Sequence, residues 1–142
     1  MPLTSADDIR DLLTATRTIA MVGASDRPDR PSHGVMAYLQ GRGYRVIPVN
    51  PTLAGSTIHG ETVYASLPEV PQSVDMVEIF RRSDAVGPVV DEAIAIGAKA
   101  EWMELRGINE EAAAKAEAAG LKVVMDDCPA RAIPRLGVPK VG

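Results

Sequence analysis

Short apolar runs recur along the chain, and helical patterns separate most of them. The runs are "TIAMVG" (18–23), "RVIPVN" (45–50), "VDMVEIF" (74–80), "AEWMEL" (100–105) and "KVVMD" (122–126). Between and before them lie "SADDIRDLLTA", "SHGVMAYLQGRG" (32–43), "SDAVGPVVDEAIAIG" (83–97) and "NEEAAAKAEAAG" (109–120). Strands that alternate with helices at this spacing predict an α/β fold around a parallel sheet. Right-handed crossovers restrict the topology to doubly wound orders. The expected arrangement is a Rossmann-like, five-stranded sheet in the order 3-2-1-4-5. Its switch point falls between strands 1 and 4, where ligands bind at the carboxyl ends of the strands.

Local signals set the boundaries. Ser5 is a candidate N-cap with Asp8 three residues on, Ser32 is a candidate cap for the second helix, and Gly41 or Gly43 ends that helix. Gly87-Pro88 predicts a disturbance in 83–97, which Gly97 closes. Asn109 caps the last regular helix, Glu110 and Glu111 suit its positive end, and Gly120 stops it. Residues 51–74 promise a short extended piece and one helical turn before Pro68. The tail, 129–142, carries Pro129, Pro134 and Pro139 and is expected to be mostly irregular.

A chain of 142 residues suits one domain, here 1–142. Aromatics are only 4%, so Ala, Val, Ile, Leu and Met must fill the core. The net charge of −4 argues against nucleic acid as a bulk electrostatic partner. No apolar run approaches the ~20 residues that span a bilayer, and the N-terminus lacks the apolar stretch of a signal peptide. The single cysteine, Cys128, excludes an internal disulfide framework. A cytoplasmic protein without a metal site is expected, as a monomer or small homo-oligomer.

The loop after the first strand, "VGASDRPDRPSH", fails as a dinucleotide fingerprint. Gly23 is in place, but Ser25 and Pro28 stand where the second and third glycines belong. The acid expected at the end of strand 2 is Asn50. Anion-binding physics nevertheless survives. Gly23, Ala24 and Ser25 offer backbone N–H groups, and the Ser32 helix points its positive end at the same crevice. Arg27 and Arg30 in the loop, with Arg81 and Arg82 after strand 3, add cations. Either these arginines meet a phosphate-bearing ligand, or they pair with Asp26 and Asp29 and lie idle on the surface.

The stretches "VGASDRPDRPSHGVMAYLQGRGYRVIPVNP", "VDMVEIFRRSDAV" and "EAIAIGAKAEWMELRGINEEAAAKAEAAGLKVVMDDCP" resemble the small stand-alone CoA-binding proteins. These are one-domain relatives of the CoA-binding domain of the succinyl-CoA synthetase α subunit. The resemblance runs from about Thr18 to Cys128. It implies a Rossmann-like domain that binds coenzyme A or an acyl-CoA in extended form, with no catalysis of its own. It assigns Gly23, Ala24, Ser25, Arg27, Arg30 and Ser32 to the phosphates. Val49, Asn50 and Pro51 go beside the adenosine, and Phe80, Arg81 and Ser83 along the crevice.

Two departures stand out. Thr52 occupies the place of a basic residue suited to the 3′-phosphate of CoA, and the family's final "DRCP" reads Asp126-Asp127-Cys128-Pro129. Cys128 is then either a buried small hydrophobe or a thiol within reach of the CoA arm. Glu78, Glu104, Asp126 and Asp127 lie in or near strands and either serve acid–base chemistry or pair structurally. Competing readings are an NAD(P)-binding oxidoreductase-like protein and an interaction domain with a vestigial crevice.

Overall fold

A computed structural model describes residues 1–104 and 108–142. The expected strand end at Leu105 lies outside the described residues. The elements are α1 (Ala6–Ala15), β1 (Thr18–Val22), α2 (Pro31–Gly41), β2 (Arg45–Val49), β3 (Thr57–Ile58), β4 (Glu61–Thr62), β5 (Met76–Ile79), α3 (Val86–Ala95), β6 (Ala100–Met103), α4 (Glu110–Ala118), β7 (Lys122–Val124) and α5 (Pro129–Leu136).

Five parallel strands form one sheet in the order β2-β1-β5-β6-β7. A parallel bridge from Val49 to Tyr64 sets the segment after β4 outside β2. With that segment in third place the layout follows the expected 3-2-1-4-5 pattern, and β7 continues it. The run 74–80, third in sequence, therefore takes the place beside β1 rather than the outer one. All four residues of β5, Met76, Val77, Glu78 and Ile79, are shielded, as in a strand covered by helices on both faces.

Successive strand residues point to opposite faces, so the sheet feeds two cores. Ile19, Met21, Met76 and Trp102 pack under α1, α2 and α5. Ala20, Val77, Ile79 and Val123 pack under α3 and α4. Trp102 is fully buried, and its indole N–H donates to the Asp127 carbonyl at 2.8 Å. This bond ties the end of β7 to the middle of the sheet.

Two caps form as expected. Ser5 Oγ accepts from the Asp8 amide at 3.1 Å, and Asn109 Oδ1 accepts from the Ala112 amide at 2.9 Å. Ser32 does not cap α2. That helix starts at Pro31, with Arg30 in the cap position and no side-chain cap bond. Proline suits this first position because its missing N–H would have had no helical partner. Gly87 and Pro88 lie in the first turn of α3, after a 3₁₀ turn at Ser83–Ala85, so they do not disturb its interior.

The tail is a correction. Residues 129–136 form α5, opened by Pro129 and ended by Gly137 at φ 66°. Ala132 and Ile133 are buried, and Arg10 Nε donates to the Leu136 carbonyl at 2.8 Å. Apolar burial against α1 outweighs the helix-breaking tendency of Pro134, which lies inside the helix. Residues 51–74 hold the β3–β4 hairpin and a 3₁₀ turn at Leu67–Glu69. His59 and Gly60 turn the hairpin, both with positive φ. The ring centroids of His59 and His33 lie 4.1 Å apart, and His59 Nε2 is 2.8 Å from the His33 carbonyl oxygen.

Candidate functional site

The carboxyl ends of β1 and β5 meet at Gly23 and Phe80. The Phe80 amide donates to the Val22 carbonyl at 2.8 Å, and the Gly23 amide to the Val49 carbonyl at 3.0 Å. Gly23 has φ 86°, which favours glycine. A β-carbon there would lie 2.3 Å from the Phe80 carbonyl oxygen. The loop can leave the sheet only because no side chain stands at this point.

The loop is held from within. The Ser25 amide donates to Ser32 Oγ at 3.1 Å, and the Arg27 amide to Ser25 Oγ at 3.1 Å. Asn50 Nδ2 donates to the Ala24 carbonyl at 2.8 Å, while Asn50 Oδ1 accepts from the Thr52 amide at 2.9 Å. These bonds revise the expected division of labour. The Gly23 and Ser25 amides are already spent on the protein, and the buried Ser32 hydroxyl braces the loop. Asn50 clamps the loop to β2. The Ala24 and Ser32 amides keep no acceptor among the described residues.

Three cavities run along this edge of the sheet. The middle one, about 300 Å³, is lined by Gly23, Ala24, Ser25, Arg27, Arg30 and Phe80, with Pro31 and Asn50. A second of about 300 Å³ includes Val49, Pro51, Ser66, Arg81 and Glu92, and it shares Gly23 with the first. A third, about 610 Å³, is bounded by Pro31, Val35, Tyr38, Phe80, Glu104 and Cys128. It shares Pro31 and Phe80 with the middle cavity. Ser83 lies in the turn before α3, where its carbonyl accepts from Asn109 Nδ2 at 2.8 Å, and it lines none of the three.

The cations divide between the two readings left open by the sequence. Arg27 pairs with Asp29 at 3.3 Å, and Arg82 with Asp84 at 3.5 Å. Arg30 and Arg81 form no ion pair among the described residues. Each lines a cavity beside Gly23. Two positive side chains, two vacant amides and a helix N-terminus suit a bound anion.

The third cavity has a different chemistry. Its lining is mostly apolar, with Glu104, Cys128 and the exposed Arg131 among the described residues as its polar groups besides the Tyr38 hydroxyl. Glu104 is 8% exposed, and its Oε2 has no hydrogen-bond donor among the described residues. Behind it Glu78 is wholly buried, and the two carboxyls face each other. Burial, and then the neighbouring Glu104, push the Glu78 carboxyl well above the ordinary range. Burial also pushes Glu104 up to about 9. Two carboxyls this close in an apolar setting share protons and do not both ionise near neutral pH. Burial likewise raises the Cys128 thiol. Its amide donates to the Asp127 carboxylate at 2.7 Å, and Arg135 pairs with the same carboxylate at 2.8 Å.

Sequence reasoning missed the apolar walls, Val35, Tyr38 and Ala130, because they depend on α5 standing over α2. A signal for the carboxyls was present. Glutamates embedded in "MVEIF" and "WMEL" occupy runs too apolar for the surface.

A family model described as CoA binding domain matches residues 17–134. The chain is 39% identical over 124 residues to the uncharacterized protein YneT of Bacillus subtilis (strain 168), covering 87% of this chain and 90% of that one. It superposes on a hypothetical protein from Pyrococcus horikoshii OT3 with a TM-score of 0.89 at 37% identity, covering 96% of each chain. It also matches the dinucleotide-forming acetyl-coenzyme A synthetase 1 of Ca. Korarchaeum cryptofilum, a structure in complex with phosphate and ADP. There the TM-score is 0.68 at 28% identity, over 82% of this chain and 27% of that one.

Proposed function

The chain belongs to the CoA binding domain family, and on that premise we propose that it holds coenzyme A, free or acylated, along the carboxyl edge of its sheet. The observation that carries this reading is the row of three cavities joined through Gly23 and through Pro31 with Phe80. A mononucleotide needs one such space, whereas an extended ligand with a charged middle and a long arm needs all three.

The cavity of Val49, Pro51 and Arg81 takes the adenosine end. The middle cavity takes the pyrophosphate, with the Ala24 and Ser32 amides as donors and Arg27 and Arg30 as cations. The pantetheine arm passes Phe80 into the third cavity. Ser25 and Asn50 shape the loop through the bonds described above. Arg81 is the only cation lining its cavity among the described residues, and it supplies the charge for the 3′-phosphate that Thr52 cannot.

Binding without turnover is the second part of the proposal. A nucleophile or general base must be ionisable near the working pH. Glu78 and Glu104 keep protons there, and the Cys128 thiol is buried and raised. Each is poorly suited to start a reaction.

The test is thermal unfolding of protein stripped of small molecules, with CoA, dephospho-CoA or NAD. A ligand at ~100 times its Kd adds roughly 2.7 kcal/mol. For a domain of this size each kcal/mol moves the midpoint by roughly 2–8 °C. CoA is expected to raise the midpoint and NAD to leave it in place. An unchanged midpoint with CoA would overturn the reading.

A further inference from the structure

We propose that the cavity beyond Phe80 is an acyl pocket, which takes a short uncharged acyl group carried on the thiol of coenzyme A, with the Glu104 carboxyl donating a hydrogen bond to the thioester carbonyl. This rests on the CoA reading above and adds the class of ligand that the site prefers.

The cavity's volume of about 610 Å³ is twice that of either neighbour. Pro31, Val35, Tyr38, Phe80 and Ala130 make its walls, and Glu104 and Cys128 stand beside each other among them. A group that fits such a space is apolar along its length and has one hydrogen-bonding atom near its root. A thioester with a short alkyl chain has that form. A bare thiol is a weak acceptor and leaves the apolar walls without a partner.

Glu104 supplies the polar end. Its side chain is 8% exposed, and its Oε2 has no hydrogen-bond donor among the described residues. The Glu78 carboxyl lies against it, and with both protonated one proton bridges the pair and the other is left for a ligand atom. Its surroundings decide the sign of that bond. Glu78 from β5 lies against it, and Cys128 and Asp127 approach from the β7–α5 connection. Among the described residues the single cation of the cavity is Arg131, which is exposed. With carboxyls and a thiol around it and no buried cation among the described residues, Glu104 holds its proton and acts as a donor. An acyl group that ends in a carboxylate would bury its charge among apolar walls with no paired cation among the described residues, which is costly.

The experiment compares CoA, butyryl-CoA and succinyl-CoA by isothermal titration on the full chain. Butyryl-CoA is expected to bind at least about tenfold tighter than CoA, because its alkyl carbons are buried against the apolar walls. Succinyl-CoA is expected to bind no tighter than CoA. Glu104→Gln, which keeps a neutral donor, should preserve the butyryl-to-CoA ratio, and Glu104→Leu, which loses the bond to the thioester carbonyl but not the apolar walls, should lower it. Equal affinity for CoA and butyryl-CoA, or a preference for succinyl-CoA, would overturn the acyl pocket while leaving CoA binding intact. If no CoA compound binds, both proposals fall. The native protein alone decides the main comparison, so a poorly folded variant does not rescue the idea.

Discussion

Gly23 and Phe80 meet so closely at the switch point that a β-carbon on Gly23 would sit 2.3 Å from the Phe80 carbonyl oxygen. The obstructing atom is backbone, in the residue that follows β5, so rotating a side chain cannot relieve the clash. Gly23 also has φ 86°. Gly23→Ala is therefore expected to lower stability by roughly 2–4 kcal/mol, from strain and the forced parting of β1 and β5. Urea denaturation at constant pH measures it. A loss below about 0.5 kcal/mol would show that the loop can leave the sheet by another path.

Arg81 is the charge that discriminates the 3′-phosphate if the adenosine lies where we place it. Native protein should bind CoA about tenfold tighter than dephospho-CoA, a modest value for a partly exposed charge contact. Arg81→Ala should bring the two affinities together. Arg27→Ala, in the middle cavity, should weaken both in the same proportion. A native protein that does not distinguish the two ligands would remove this role from Arg81.

Glu101 gives stability a pH dependence that is separate from ligand binding. It lies in β6 with no accessible surface, and neither carboxyl oxygen has a partner among the described residues. Burial, with the nearby Glu117 charge, raises its pKa from 4.5 to about 8. Between those values the native chain keeps a proton that the unfolded chain has lost. Stability contributed here is full below the unfolded pKa and falls as pH rises through the folded one. Glu101→Gln removes the penalty. At pH 7.5 the variant should be more stable by roughly 2–4 kcal/mol, and at pH 4 the two proteins should match. Glu78 and Glu104 act in the same direction but remain in both proteins, so the difference isolates Glu101. Chemical denaturation at both pH values reads it, and a gap of equal size at each would show that packing is the cause.

The parts of the site that were legible in the sequence were local. Gly23 after an apolar run, the cap at Asn109 and the loop arginines all announce themselves within a few residues. The likeness to CoA-binding proteins was legible in the same way, through motif order. Roles that depend on distant partners were not. Ser32 looks like a cap in sequence, yet its hydroxyl receives the Ser25 amide. Asn50 looks like a ligand contact, yet its amide is bonded to Ala24 and Thr52. Side-chain type says which bonds a residue can make, and only the fold decides which partner arrives first.

Hydrophobic periodicity and turn chemistry by themselves determined a doubly wound α/β domain, because alternating runs of strand and helix length leave few ways to bury both faces of a sheet. They also determined that an anion could bind after β1, since a glycine turn into a helix start is a local construction. Tertiary structure alone decided that 74–80 lies beside β1, that the proline-rich tail becomes α5, and that Glu104 and Cys128 close a cavity opposite Val35 and Tyr38. Those outcomes come from burial between segments far apart in the chain. That energy is set by what packs against what, and it can override the local preference of a proline or a glutamate.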